Sequence, residues 1–218
     1  MAPRFLGEFG DLSLSVVVTS PHWQENCYLV HHRTTGAVVI VDPGNDAEAI
    51  IAAARATGGT PLAIWLTHGH LDHLGAARAM ERTFDIPTRA HADETTLIAM
   101  AGHLDRAFGG SGFEGPDNVE TFDGEPILTA GDIEAKVTHT TGHTPGCVCY
   151  DFGGFALTGD TLFRQGVGRT DLPGGNEETL WASITRFLER TGDATVLFSG
   201  HGPEWTAREA RRWWRTMA

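Results

Sequence analysis

Polar and apolar positions alternate over residues 12–19, which predicts a strand with one buried face. Residues 27–31 predict another. Residues 37–41 form a short β-branched run, Ala-Val-Val-Ile-Val, that stops at Asp42-Pro43-Gly44, the pattern of a buried strand closed by a turn. Residues 46–57 are alanine-rich and helical, with Gly58-Gly59 as a stop. Residues 62–66 predict the next strand, 72–84 one continuous helix and 93–101 another. The glycine-rich stretch 102–115 has little periodicity and predicts a loop or lid. Further strands are predicted over 127–137, 148–152, 155–158 and 195–198, and helices over 177–190 and 206–216. On the last helix, Trp213, Ala210 and Met217 fall on a face expected in the core.

A local plan recurs along this pattern. An apolar strand ends in a small residue and a glycine, followed by a polar side chain able to bind a metal: Thr141-Gly142-His143, Thr158-Gly159-Asp160 and Ser199-Gly200-His201, with Thr67-His68-Gly69-His70 as a variant. Glycine permits sharp turns and close backbone approach, and strand ends are the usual ligand sites of open α/β sheets. Each turn should place its side chain on the same rim.

Composition narrows the class. The chain has 218 residues, 41% of them hydrophobic, enough for one sizeable core, and a single domain over 1–218 is expected. A net charge of −12 argues against nucleic-acid partners and anionic membranes. Lys136 is the one lysine, which disfavours Schiff-base chemistry. Cys27, Cys147 and Cys149 form no disulfide framework and read as small core residues. The N-terminal residues lack an apolar signal core, and no stretch reaches the ~20 apolar residues of a membrane helix, so a cytoplasmic location is expected.

The candidate chemistry lies in Thr67-His68-Gly69-His70-Leu71-Asp72-His73. Three imidazoles and a carboxylate this dense each need a polar partner, and a divalent ion satisfies them together. With His143, Asp160 and His201 there are seven candidates, too many for one tetrahedral zinc. Two ions sharing a carboxylate would use them all and leave positions open for water, as catalytic sites do. His70 follows His68 by two residues in an extended turn, so both can face one ion. Asp72 and His73 begin the expected helix, whose N-terminal dipole would favour the anionic carboxylate. His22, His31, His32, His91, His103 and His139 are left to surface or hydrogen-bonding roles. Arg208, Arg211, Arg212 and Arg215 form one stripe of the last helix and read as a solvated basic face.

In order and spacing, His68-x-His70-x-Asp72-His73, Thr141-Gly142-His143-Thr144-Pro145-Gly146, Gly159-Asp160-Thr161-Leu162-Phe163 and Gly200-His201-Gly202 resemble the metallo-β-lactamase superfamily. Gly168-Arg169-Thr170-Asp171-Leu172-Pro173-Gly174-Gly175 is similar to the glyoxalase II-like hydrolases, especially the short bacterial hydroxyacylglutathione hydrolases. The resemblance spans residues 24–203. It implies an α+β fold, a four-layer αβ/βα sandwich with the metals between the sheet edges. It implies that His68, His70 and His143 bind one divalent ion, Asp72, His73 and His201 the other, and that Asp160 bridges them. Asp42 matches a position that supports the ligands from behind, although a turn former would look the same. Zinc is the first expectation for both ions, with iron or manganese as alternatives.

The implied reaction is hydrolysis of a small-molecule thioester, such as S-lactoylglutathione, by a metal-bridging hydroxide. Asp72 and Asp160 are its catalytic carboxylates, and Arg169 either contacts an anionic substrate or pairs with Asp171. The alternatives on this scaffold are a persulfide dioxygenase with one iron on His68, His143 and Asp160, and β-lactam hydrolysis as a minor activity.

Overall fold

The structure is a computed structural model that describes residues 3–19, 22–107, 110 and 113–217. The chain begins with strands β1 (Arg4–Phe9), β2 (Leu12–Thr19), β3 (Glu25–His32) and β4 (Ala37–Val41), then α1 (Ala47–Ala56) and β5 (Thr60–Trp65). There follow α2 (Leu71–Leu74), α3 (Ala77–Phe84), β6 (Thr88–His91), α4 (Thr95–Ala107) and β7 (Val119–Phe122). The second half comprises β8 (Ile127–Ala130), β9 (Ile133–His139), β10 (Val148–Asp151), β11 (Phe155–Gly159), β12 (Leu162–Phe163) and β13 (Gly166–Val167). It ends with α5 (Glu177–Arg190), β14 (Val196–Ser199), β15 (Trp205–Thr206) and α6 (Ala207–Trp214).

Among the described residues the main strands form two sheets, one in the order β1-β2-β3-β4-β5-β6-β7 and one in the order β15-β14-β11-β10-β9-β8. Period-two alternation decides what each face meets. Val39, Val41, Ala63 and Trp65 of the first sheet pack between the sheets against Val148, Tyr150, Phe155, Leu157 and Phe198 of the second. Their neighbours Ile40, Ile64 and Leu66 face the other way, onto Ile50, Ala53, Ala77, Met80 and Ile98 of the covering helices. Cys149, Ala156 and Leu197 turn outward onto Leu180, Ile184, Phe187, Ala210 and Trp214 of α5 and α6. Helix, sheet, sheet and helix are therefore the four layers, the expected αβ/βα sandwich.

Two backbone hydrogen bonds join the sheets along one rim. Val148 N–H donates to Thr67 O (2.9 Å), and Asn26 N–H to Gly200 O (2.8 Å). Tyr28 Oη–H adds a bond to Ser199 O (2.7 Å), and Tyr150 Oη–H one to Leu66 O (2.6 Å).

Several elements differ from expectation. The helix expected over 72–84 breaks at Gly75-Ala76, because Ala76 N–H donates to Pro43 O (2.9 Å) instead of continuing the helical ladder. A Cβ at Gly75 would lie 2.4 Å from Asn45 Oδ1, so glycine is needed there. The strand expected over 127–137 is the hairpin β8–β9, turned at Gly131-Asp132 with Gly131 at φ +57°. α4 runs to Ala107, into the stretch expected to be a loop, of which residues 108, 109, 111 and 112 lie outside the described residues. On α6, Ala210 is buried as expected and Trp213 packs partly buried against the same cluster, but Trp214 fills the core position and Met217 is exposed. Arg211 of the basic stripe is not solvated. It donates to Leu188 O and Thr191 O at the end of α5, where carbonyls lack helical partners. No helix among the described residues is long and apolar enough to cross a membrane.

Candidate metal centre

Every side chain singled out for metal binding lies on the joined rim. His68 and His70 follow β5, Asp72 and His73 sit in α2, His143 follows β9, Asp160 follows β11 and His201 follows β14. The strands end here because their next residues turn through glycine. Gly200 is required by close approach: a Cβ on it would lie 2.3 Å from Asp160 Oδ1 and 2.5 Å from His73 Cε1. Gly159 adopts φ +46°, and its Cβ would lie 2.3 Å from Thr67 Oγ1.

The side chains sort into three overlapping groups whose donor atoms lie within 4.8 Å of one another: His68, His70 and His143; His68, His73 and Asp160; and Asp72, His73 and His201. Asp160 stands between the outer two, with Oδ2 3.7 Å from His143 Nε2 and 3.6 Å from His201 Nε2. Its Oδ1 lies 3.3 Å from His73 Nε2.

The ring nitrogens facing away from the centre are held by the protein. His73 Nδ1–H donates to Asp42 Oδ2 (3.0 Å), His143 Nδ1–H to Arg169 O (2.7 Å) and His201 Nδ1–H to Trp23 O (2.9 Å). His68 Nδ1–H donates to Thr67 Oγ1 (3.0 Å), whose own hydroxyl donates to Asp42 Oδ2 (2.6 Å). These partners place a proton on Nδ1 of all four rings and aim each Nε2 inward, where those of His73 and His201 face the carboxylates Asp160 Oδ1 (3.3 Å) and Asp72 Oδ2 (3.2 Å). Asp42 therefore does more than turn the chain. From a left-handed conformation (φ +50°) it serves His73 directly, His68 through Thr67, and Thr67 N–H at 2.7 Å.

Two of the inward atoms have no hydrogen-bond partner. His73 Nε2 and Asp160 Oδ1 are buried and accept no hydrogen bond. His68 Nε2 faces His143 Nε2 at 3.3 Å, two lone pairs with no proton between them. Two ligands on one tetrahedral ion at about 2.05 Å lie roughly 3.3 Å apart, so a cation turns this repulsion into coordination. The donor set fits divalent ions.

Electrostatics divide the groups. Burial pushes His68 and His143 below the ordinary histidine range, and it pushes His70 down to about 4. These three are neutral and ready to bind. Burial would lower His73 too, but the Asp160 and Asp72 carboxylates outweigh it and hold His73 high. Burial opposes ionisation of Asp72 and Asp160, yet His73, followed by His201 for Asp72 and His143 for Asp160, brings both below the usual carboxylate range. Asp72 is thus kept anionic by its histidine neighbours; α2, four residues long, supplies little of the dipole expected to do so.

Arg169 takes the structural option for its side chain, an exposed fork to Asp171 with both N–H···O distances 2.7 Å, while its backbone oxygen holds His143. Cys147 and Cys149 are buried free thiols beside Thr161 and Thr140. Sequence reasoning passed over Thr67 as a relay, the Arg169 and Trp23 carbonyls, and Glu94. Glu94 is buried and accepts hydrogen bonds from two of the ligand-bearing loops. A further cluster, His91, Asp93 and His139, also has donor atoms within 4.8 Å of one another. Three of its four ring nitrogens lie against backbone groups: His91 Nδ1 and Nε2 face the Asp93 and Gly124 N–H groups (3.2 and 3.1 Å), of which a neutral ring can accept from one, and His139 Nε2 faces Pro145 O (2.8 Å).

Residues 21–206 match the metallo-beta-lactamase superfamily. The chain is 39% identical over 176 residues to the probable metallo-hydrolase YqgX of Bacillus subtilis, covering 76% of this chain and 80% of that protein. It is 33% identical over 200 residues to the hydroxyacylglutathione hydrolase GloC of Haemophilus influenzae, covering 87% and 91%. Among solved structures it superposes on TTHA1623 in a di-iron-bound form with a TM-score of 0.81 and 36% identity, covering 90% and 96% of the two chains. The BLEG-1 B3 metallo-beta-lactamase gives a TM-score of 0.81 and 37% identity, covering 91% and 96%.

Proposed function

The chain belongs to the metallo-beta-lactamase superfamily and resembles a probable metallo-hydrolase within it, and we propose that its rim is a dinuclear centre acting on a small thioester, as glyoxalase II does. One observation carries the dinuclear reading. Asp160 lies between His143 and His201 with a buried, unpartnered oxygen, and a complete set of donors stands on each side of it. His68, His70 and His143 would hold one ion, and Asp72, His73 and His201 the other, with Asp160 shared. Zinc suits this imidazole and carboxylate set, and so do iron and manganese. Bound there, two divalent ions would supply a hydroxide near neutral pH and polarise a carbonyl oxygen.

The chain's own contribution is positional and electrostatic. Asp42, Thr67 and the Arg169 and Trp23 carbonyls fix four imidazoles in one tautomer, so no ring must reorient during turnover. Asp72 and Asp160 are held in the ionised form that binding a cation requires. A thioester suits such a site because a thiolate departs without a proton. The 33% identity to GloC, a hydroxyacylglutathione hydrolase, supports the same substrate class. For Arg169 we assign support of His143 through the backbone, since contacting an anionic substrate would require giving up the fork to Asp171. The 37% identity to BLEG-1 favours β-lactam hydrolysis as a second, minor activity.

The test compares S-lactoylglutathione and a panel of simple thioesters with nitrocefin, and monitors oxygen with glutathione persulfide. Thioesters should show the highest kcat/KM, with no oxygen uptake. Oxygen consumption with the thioester left intact would establish the dioxygenase instead, and a preference for nitrocefin would reverse the two hydrolytic readings.

A further inference from the structure

The loop carrying His68 and His70 comes from the first sheet, and the loop carrying His143 comes from the second. For three imidazoles to meet at one ion, the two loops must keep a fixed separation. Glu94 lies between them. Its Oε2 accepts Gly69 N–H at 2.5 Å, and its Oε1 accepts Gly146 N–H at 2.6 Å. Gly69 sits between two of the histidines, and Gly146 lies three residues after the third. The fit is close: a Cβ at Gly69 would lie 2.9 Å from Glu94 Oε2, and one at Gly146 would lie 2.8 Å from Glu94 N and 2.9 Å from its Cγ.

Glu94 is itself held. It ends a 3₁₀ turn, Ala92–Glu94, that is capped by the His91 ring, and that ring stacks on His139 with centroids 4.0 Å apart. His139 in turn bonds Pro145 O, next to Gly146. The turn is therefore anchored to the loop that its carboxylate also grips. Burial pushes the Glu94 carboxyl up, and the Thr144 side chain and then the Gly146 and Gly69 N–H groups work against that push.

We propose that Glu94 is a positioning residue that staples the two ligand loops and so sets the affinity of the His68–His70–His143 group for its ion, leaving the Asp72–His73–His201 group alone. The inference rests on the dinuclear reading above. Only a side chain with two acceptor oxygens can serve both loops. A glutamine keeps the size and one acceptor, but its amide donors meet the other loop's N–H, and charge-assisted bonds to a carboxylate are the stronger kind.

The experiment titrates the zinc-loaded protein with a chelator and counts ions retained per chain. In Glu94→Gln one ion should leave at roughly 10- to 100-fold lower chelator concentration than in the unmodified protein, the size expected when a group behind the ligands is lost. The other ion should leave where it does in the unmodified protein. Cobalt substitution adds a signature: the visible absorption of one site should change and that of the other persist.

Equal weakening of both ions would make Glu94 a general stability residue and overturn the proposal, as would unchanged release of both. An unmodified protein that never holds two ions would instead sink the dinuclear reading. Should Glu94→Gln fail to fold, Glu94→Asp keeps the charge with a shorter reach and should show the same one-site selectivity at smaller amplitude. Without any substitution, the Gly69 and Gly146 amide protons of the loaded protein should both resonate far downfield. Ordinary positions for both would also overturn the staple.

Discussion

Two clusters of histidine and aspartate occur in this molecule, and by residue type they look alike. On the rim, His68, His73, His143 and His201 each hand one nitrogen to a protein acceptor and aim the other at the remaining candidate ligands, where His73 Nε2 and Asp160 Oδ1 are buried with no hydrogen-bond partner. Some distance along the chain, His91 and His139 stack beside Asp93, with both His91 nitrogens against the Asp93 and Gly124 N–H groups and His139 Nε2 against Pro145 O. The first arrangement leaves lone pairs in need of a cation. The second lies mostly against backbone groups and is better understood as an anchor for the turn that carries Glu94. Donor type and spacing are therefore insufficient to identify a metal site; what decides is whether the lone pairs are already engaged.

Substitutions can break or sharpen that contrast. The largest effect is expected at Asp160. Asp160→Ala should lose both ions together and lower thioester kcat/KM by about 10³-fold or more, since on the proposed division one carboxylate would serve both ions. His201→Ala should empty chiefly one position. Elemental analysis of the two variants decides, and equal losses from both would contradict the division of ligands.

A smaller effect is expected at Thr67. Thr67→Val keeps the shape but cuts the relay from Asp42 to His68, and metal affinity should fall roughly 10- to 100-fold. A chelator midpoint equal to that of the parent protein would show that the relay is idle.

The pH response of chelator-treated protein is the next test. His70 is held at about 4 when folded and rises toward the ordinary 6.5 when unfolded, so the unfolded chain takes the proton first. Stability should fall as pH drops from about 6.5 to about 4. His73 and His201 are raised on folding, so their contribution is fully present below the ordinary histidine value and disappears as pH climbs through their folded values. Thermal unfolding of the metal-free protein should thus be most favourable to the native state near pH 6.5, and His70→Ala should flatten the acid limb. An acid limb that survives that substitution unchanged would assign it to other groups.

The smallest effect belongs to the second cluster. His91→Phe should leave the number of ions per chain at the parent value. Loss of a whole ion would mean that the backbone bonds do not occupy these rings after all.

Much of this was legible in the sequence. The strand–glycine–ligand plan placed His143, Asp160 and His201 on one edge with His68 because glycine at a strand end has a steric meaning that survives without coordinates. The sandwich was expected from the family resemblance, and the buried runs at 37–41 and 62–66 are central strands. The missed strands β1, β6 and β7 are short or, at β1, interrupted by an irregularity between Phe5 and Gly7, so alternation never accumulates. The break at Gly75 depends on Pro43 O, a partner more than thirty residues away, which no helical pattern encodes. The Arg169 and Trp23 carbonyls were invisible because every residue has one. Glu94 looked like an ordinary acidic residue at the start of a helix, and only its distance from Gly69 and Gly146 separates it from that.

The facing nitrogens of His68 and His143 have one more consequence. A rim that repels itself until cations arrive makes the durability of the folded chain depend on its surroundings as well as on its own contacts. At a free ion concentration a hundred times the dissociation constant, each bound ion adds about 2.7 kcal/mol. Scarcity of the ion would then deplete the protein itself along with its turnover, and ion supply would govern how long each copy lasts.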